Sequence, residues 1–213
     1  MRKTRDNALT KLRPPPSAAD ANVKLVSRTS VPNPGTIVWF TGLSGSGKTT
    51  LCRAVAHQLS SRGVLVEVLD ADALRRTVCA GLGFTRADRE ENIHRIAAIA
   101  EANALSGITV LVAAIAPYRS MRQHLRRRFP SFVEVYVNAP LETCIARDPK
   151  GLYRRALAHE IDAFTGISDP YEPPLTPDIE CHTDRETIAA STSHLLHSLD
   201  CLLALREPQA HVA

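Results

Sequence analysis

The stretch that most restricts the fold is "TIVWFTGLSGSGKTTLCRAVAHQL", residues 36–59. A short apolar run rich in β-formers comes first. Glycines at 42, 45 and 47 follow, and then Leu51, Val55 and Leu59 at helical spacing. The pattern reads as strand, tight loop and helix. Within it, Gly42-x-x-x-x-Gly47-Lys48-Thr49 has the spacing of a phosphate-binding loop. Such a loop must converge backbone N–H groups on phosphate oxygens, and glycine allows the turns and the close approach. The helix starting near Lys48 adds the positive end of its dipole. Lys48 is expected to reach the β- and γ-phosphates, and the Thr49 hydroxyl to sit on Mg²⁺. The triphosphate contacts are therefore assigned to Gly42, Ser44, Gly45, Ser46, Gly47, Lys48, Thr49 and Thr50, with Thr49 as the metal residue.

Downstream, β-type runs alternate with helical periodicity. Strands are expected over 64–69, 108–115 and 132–137, and helices over 89–107, 119–129 and 141–148. A terminal helix is expected over 183–205, opened by a Thr183–Glu186 capping box. Alternation of this kind predicts an α/β fold of three layers, a parallel β-sheet with helices on both faces and a lid. Ligands then bind beyond the carboxyl ends of the strands. "RPPPSAADAN" reads as a linker. We therefore expect a flexible arm over 1–22, one domain over 23–205 and a tail over 206–213.

Charge is unevenly placed. Residues 1–34 hold seven Lys/Arg against two acids, leaving 19 basic against 20 acidic residues for the rest. The basicity belongs to the arm, so a nucleic-acid-binding face on the domain is not expected. No apolar run approaches the roughly 18 residues of a membrane span. The basic N-terminus lacks an apolar signal core, and Asp6 and Asp20 argue against an organellar presequence. Five widely spaced cysteines include no C-x-x-C pair. They suggest reduced thiols in a cytoplasmic protein rather than a disulfide framework or a zinc site.

The loop identifies a donor, and the acceptor has to be read elsewhere. "LDADALRR", residues 69–76, ends the second strand. Phosphoryl transfer to a hydroxyl needs a group that orients and deprotonates it, and Mg²⁺ needs oxygen ligands. Asp70 and Asp72 stand where either role is served, although Asp72 also suits a helix cap. Arg75 suits an anionic substrate.

The ordered segments "GLSGSGKTT", "LDADALR", "LGFTRADREENIHRI", "AAIAPYR", "ARDPKGLYRRA" and "FTGISDPYEPP" together resemble the adenylyl-sulfate kinase family of P-loop kinases, over about residues 23–203. The resemblance implies transfer of the ATP γ-phosphoryl group to the 3′-hydroxyl of adenosine 5′-phosphosulfate. It makes Asp72 the base and Asp70 its acidic neighbour, with Lys48 on the phosphoryl group. It sets Arg75, Phe84, Arg89 and Asn92 on the adenylyl-sulfate, with Ile115 and Ala116 lining that pocket. Lys150, Leu152 and Phe164 fall in a lid, and Arg147 near the ATP adenine. It also implies ATP and Mg²⁺, a homodimer and an ATP sulfurylase as a partner. The residues themselves allow Phe84 and Phe164 to sandwich a purine, and Arg89 and Asn92 share a helix face.

Two positions depart from the family's habit. Ala71 stands where a glycine is common, and Ala116 where a serine is common that has been described as a phosphorylated intermediate. Without that hydroxyl, direct transfer from ATP is expected. No Asp ends the strand 108–115, so Mg²⁺ is expected to rest on Thr49, phosphates and water. A kinase for another nucleotide or a sugar-like hydroxyl, and a catalytically silent nucleotide-binding subunit, remain the competing readings.

Overall fold

The computed structural model describes residues 34–204. The expected arm over 1–22, the domain start at residue 23 and the tail over 206–213 lie outside the described residues.

At the centre is β1 (Ile37–Thr41), buried along its whole length. It pairs in parallel with β3 (Thr109–Ala113) on one side and β4 (Phe132–Asn138) on the other. Next to β3 lies β2 (Val66–Asp70), and next to β4 lies β5 (Ile179–His182), giving one parallel sheet in the order β2-β3-β1-β4-β5. Parallel neighbours cannot be joined by hairpins, so the crossovers carry helices. α1 (Lys48–Ser61) and α7 (Ile188–Ala204) cover one face, and α3 (Arg86–Leu105) and α4 (Arg119–Arg128) the other.

Alternation along β1 divides the core. Ile37 and Trp39 pack with Ile93, Ile96 and Ala100 of α3 and Leu125 of α4. Val38 and Phe40 pack with Leu51 and Val55 of α1 and Leu195 of α7. Three short helices complete the described residues: α2 (Ala71–Leu74), α5 (Leu141–Arg147) and α6 (Leu152–Leu157). All five cysteines are free. Among the described residues, no helix is long and apolar enough to cross a membrane.

Three local expectations are corrected. The terminal helix begins at 188, and Thr183 is not its cap, because its hydroxyl donates to the Ser46 carbonyl at 2.7 Å. The Thr187 hydroxyl accepts from the Ala190 amide instead. The residue capping the helix after strand two is Asp70, which accepts from the Asp72 amide, so Asp72 is left uncommitted as a cap. The long helix starts at Arg86, behind a reciprocal Thr85–Asp88 capping box.

A buried ion pair ties α4 to the sheet. Arg122 donates from Nε to Glu134 of β4 at 2.7 Å, and its other nitrogens reach the carbonyls of Ala116 and Glu172. Both side chains are nearly sealed, with 2% and 9% exposure. Removing one partner of such a pair strands the other charge. Glu134→Ala should therefore lose about 3 kcal/mol or more of stability. Urea unfolding within about 0.5 kcal/mol of wild type would overturn that assignment.

Candidate active site

The loop after β1 is shaped by its glycines. Gly42 has φ 148°, and a Cβ there would meet the Val137 carbonyl oxygen of β4 at 2.4 Å. No side chain fits between the loop and that strand. Gly47, at φ 99°, turns the chain into α1. The loop is braced from outside. The Tyr153 hydroxyl of α6 donates to the Ser44 carbonyl at 2.9 Å, and Thr183 holds the Ser46 carbonyl. Arg147 donates to the Gly45 carbonyl at 3.3 Å and to the Thr183 carbonyl at 2.5 Å.

Lys48 curls back over the loop, its Nζ donating to the carbonyls of Leu43 at 2.7 Å and Gly42 at 3.0 Å. Desolvation lowers its pKa to about 8, against the opposing pull of Asp72. Thr49 donates to Asp70 Oδ2 at 3.0 Å, so the end of β2 is tied to the start of α1. Asp72 faces the same space and is paired with Lys150 from the α5–α6 loop.

These groups share one cavity of about 460 Å³. Its lining includes Ser44, Gly45, Gly47, Lys48, Thr49 and Thr50 of the loop and helix start. Asp72, Ile115, Arg147, Lys150, Thr183 and Glu186 line it as well. Of the remaining loop residues, Gly42 forms the turn behind, and Ser46 is buried with its Oγ unpartnered.

The other expected site residues form a second group. Arg75 donates to the carbonyls of Leu82 and Gly83, both at 3.2 Å, and its guanidinium lies 4.5 Å from the Phe84 ring centroid. Arg89 approaches the same ring at 5.8 Å. Arg89 is buried rather than spread on a solvated helix face. It donates to the carbonyls of Phe84 and Ala163 and pairs with Asp169 at 3.4 Å. It thus bridges the backbones that carry Phe84 and Phe164. Phe84 is half exposed, whereas Phe164 meets Tyr153 edge-on. Asn92, three residues beyond Arg89, is buried with its Oδ1 unpartnered. Leu152 opens α6, and Ala116 is buried at φ 42°.

Sequence reasoning missed the bracing residues. Tyr153 lies inside "DPKGLYRRA", where a lone aromatic among basic residues was an available signal. Thr183 carried none, because its Glu186 spacing imitates a helix cap.

The sequence profile described as "Adenylylsulphate kinase" matches residues 34–182. The chain belongs to the adenylylsulphate kinase family. It is 51% identical over 172 residues to the adenylyl-sulfate kinase of Gloeothece citriformis, covering 81% of this chain and 98% of that protein. Identity reaches 54% over 165 residues with the Synechococcus sp. JA-2-3B'a(2-13) enzyme, covering 78% and 94%. Among solved structures, the Mycobacterium tuberculosis APS kinase in complex with AMPPNP and APS is 41% identical at TM-score 0.77, covering 79% of this chain and 99% of that one. A Janibacter sugar kinase is 25% identical at TM-score 0.56, covering 81% and 98%. This chain thus has the fold of that APS kinase, and that sugar kinase is similar to it at lower identity.

The Lys48 environment has a measurable consequence for stability. Its folded pKa of about 8 lies below the ordinary 10.5. Between those values the unfolded chain binds more protons, so stability rises with pH across that window and the burial penalty is fully present below it. Relative to Lys48→Met, the wild type should gain on the order of 1–2 kcal/mol from pH 8 to 10.5, after discounting for the open cavity. Parallel pH profiles for the two proteins would show that Nζ is not desolvated.

Proposed function

We propose that this protein is an adenylyl-sulfate kinase, transferring the γ-phosphoryl group of ATP to the 3′-hydroxyl of adenosine 5′-phosphosulfate and releasing ADP. The carrying observation is one cavity lined by both Asp72 and the P-loop Lys48, close enough for the carboxylate to act on the ammonium. A carboxylate and a phosphate-binding cation lining one space fit phosphoryl transfer to a hydroxyl.

The residues divide the work. The loop from Gly42 to Thr50 cradles the triphosphate, with Lys48 leaving the Gly42 and Leu43 carbonyls for the phosphate oxygens. Arg147 lies beyond the loop, on the side that receives the adenine. Asp72 leaves Lys150, accepts the 3′-hydroxyl proton and aims the oxygen at phosphorus. The new O–P bond forms as the bond to the ADP oxygen breaks. Lys150 is then free to meet the charge that develops on the phosphoryl group. Arg75 and Arg89 surround Phe84 with positive charge suited to a phosphosulfate. Asn92 Oδ1 offers an unpartnered acceptor nearby. Ala116 carries no hydroxyl to phosphorylate, so transfer is direct.

The residues also fit Mg²⁺. The Thr49 hydroxyl and Asp70 carboxylate are hard oxygen donors that already meet at 3.0 Å. No cluster of three or more His, Cys, Asp or Glu that could hold a metal occurs among the described residues, so phosphate oxygens and water would complete the shell. When bound, the ion neutralises phosphate charge. Asp70 on β2 supplies the carboxylate that β3 lacks. On the same reading the enzyme is a cytoplasmic homodimer, and an ATP sulfurylase is the class of enzyme that supplies its acceptor.

A coupled assay should show ADP release that depends on adenosine 5′-phosphosulfate, and ATP turnover indifferent to it would reject the reading. Asp72→Ala should lower kcat by roughly 10²–10⁴-fold with ATP affinity close to wild type. An undiminished kcat would remove Asp72 as the base.

A further inference from the structure

The cross-strand ladder between β1 and β3 ends where the site begins. Its last backbone pairing is Phe40 with Ala113, followed by the Ala114 amide donating to the Phe40 carbonyl at 3.2 Å. Beyond that point the chains part, β1 into the glycine loop and β3 into Ile115 and Ala116. A side chain continues the connection. The Thr41 hydroxyl donates to the Ile115 carbonyl at 2.5 Å. Thr41 is fully buried and immediately precedes Gly42.

A hydroxyl has one proton. Because Thr41 spends its proton on Ile115, the 3.0 Å contact between Thr41 and the Tyr171 hydroxyl is polarised, with Tyr171 donating. Burial raises the Tyr171 pKa, so the phenol keeps its proton at any physiological pH. Tyr171 is itself fixed. Its ring stacks on Tyr136 at 6.2 Å and lies beneath the Arg122 guanidinium at 5.7 Å. Arg122 also holds the Ala116 carbonyl, the next acceptor along the same wall, at 2.5 Å. The Glu172 amide donates to the Pro117 carbonyl at 2.9 Å. Tyr171 does not line the nucleotide cavity.

We propose that Tyr171 is a positioning residue for phosphoryl transfer, acting through Thr41 to hold the phosphate-binding loop and the Ile115–Ala116 wall at a fixed separation. Tyr171 donates to Thr41, and Thr41 donates to Ile115. One side of the space is thereby locked to the element carrying the donor phosphates. The other side is locked to the wall against which the acceptor lies. Loss of the relay loosens the approach of hydroxyl to phosphorus while leaving the contacts to each nucleotide in place. Its signature is a fall in kcat with little change in either KM. The inference rests on the adenylyl-sulfate reading only for the choice of acceptor.

The test is steady-state kinetics on the full-length enzyme with ATP and adenosine 5′-phosphosulfate. Tyr171→Phe keeps the ring and deletes one hydroxyl. Thr41→Val keeps the shape and deletes the link, and Thr41→Ser restores it. Tyr171→Phe and Thr41→Val should each lower kcat by roughly 10- to 100-fold with both KM values within about twofold. Thr41→Ser should recover most of the rate, and the double variant Thr41→Val/Tyr171→Phe should be no slower than Thr41→Val alone. Wild-type kcat in Tyr171→Phe, a loss confined to KM, or additive losses in the double variant would overturn the proposal. Circular dichroism melting separates a folding defect from it, because a relay role predicts melting close to wild type in Tyr171→Phe. A wild type that ignored adenosine 5′-phosphosulfate would overturn the functional reading instead, and the same variants would then be ranked on the acceptor it uses.

Discussion

A strand buried on both faces has no solvent side on which to place a polar residue. All five residues of β1 are in that position, with Trp39 and Phe40 fully enclosed. Two helical layers are then obligatory, because each set of alternate side chains needs its own apolar cover. The parallel partners β3 and β4 follow from the same constraint, since the strand edges must also be paired away from water. The chemistry collects where this burial ends. Gly42 follows β1, Asp70 closes β2, and Ile115 lies just past β3. At the carboxyl edge of the sheet, residues that follow or close three strands border one cavity.

The charges at that edge are already partnered within the chain. Lys48 rests on two loop carbonyls, Asp72 on Lys150, Arg147 on Gly45 and Thr183, and Arg89 on two carbonyls and Asp169. In a partly desolvated space this arrangement avoids the cost of an isolated ion. The partners differ in permanence. Asp72 and Lys150 are both substantially exposed, so water can take over their pair at little cost. Arg89 and Asp169 are largely enclosed, and breaking their contact would strand a buried charge. The exposed pair is therefore suited to exchange with ligands, whereas the enclosed one holds the frame around them.

What could be read in the sequence follows the range of the interactions involved. The phosphate loop was legible because its requirements are local: glycine where φ is positive, then a lysine and a threonine at the helix start. Alternating strands and helices were legible because Leu51, Val55 and Leu59, or Ile93, Ile96 and Ala100, repeat at the period of the face they bury. β5 was not, since four residues reading Ile-Glu-Cys-His carry no β-rich run and are held by pairing to β4. Thr183 was misread for a related reason. A Thr three residues before a Glu has the spacing of a cap, but tertiary contact with Ser46, 137 positions away, claims its hydroxyl. Arg122 and Tyr171 gave no local sign at all, because their roles depend on carbonyls and hydroxyls from other elements. The Asp70–Thr49 contact likewise joins residues 21 apart in sequence, so Asp70 was legible as an acid at a strand end but its pairing with Thr49 was not.

The two alanines that depart from the family's habit can be weighed on the same terms. Ala71 is the first residue of α2 and is not among the residues with positive φ. Its backbone is one that any L-residue adopts, so the freedom of a glycine is not needed there. Alanine instead favours the helical turn by about 1 kcal/mol relative to glycine. Ala116 is the harder case, because its φ of 42° lies in a region that side chains disfavour. It is held there from outside, with its carbonyl taken by Arg122 and its neighbour's carbonyl by Thr41. The methyl is buried and Ala116 is not among the residues lining the cavity, which Ile115 beside it does line. The conformation at 116 is therefore held by contacts to backbone carbonyls, which a side chain lacking a hydroxyl leaves in place.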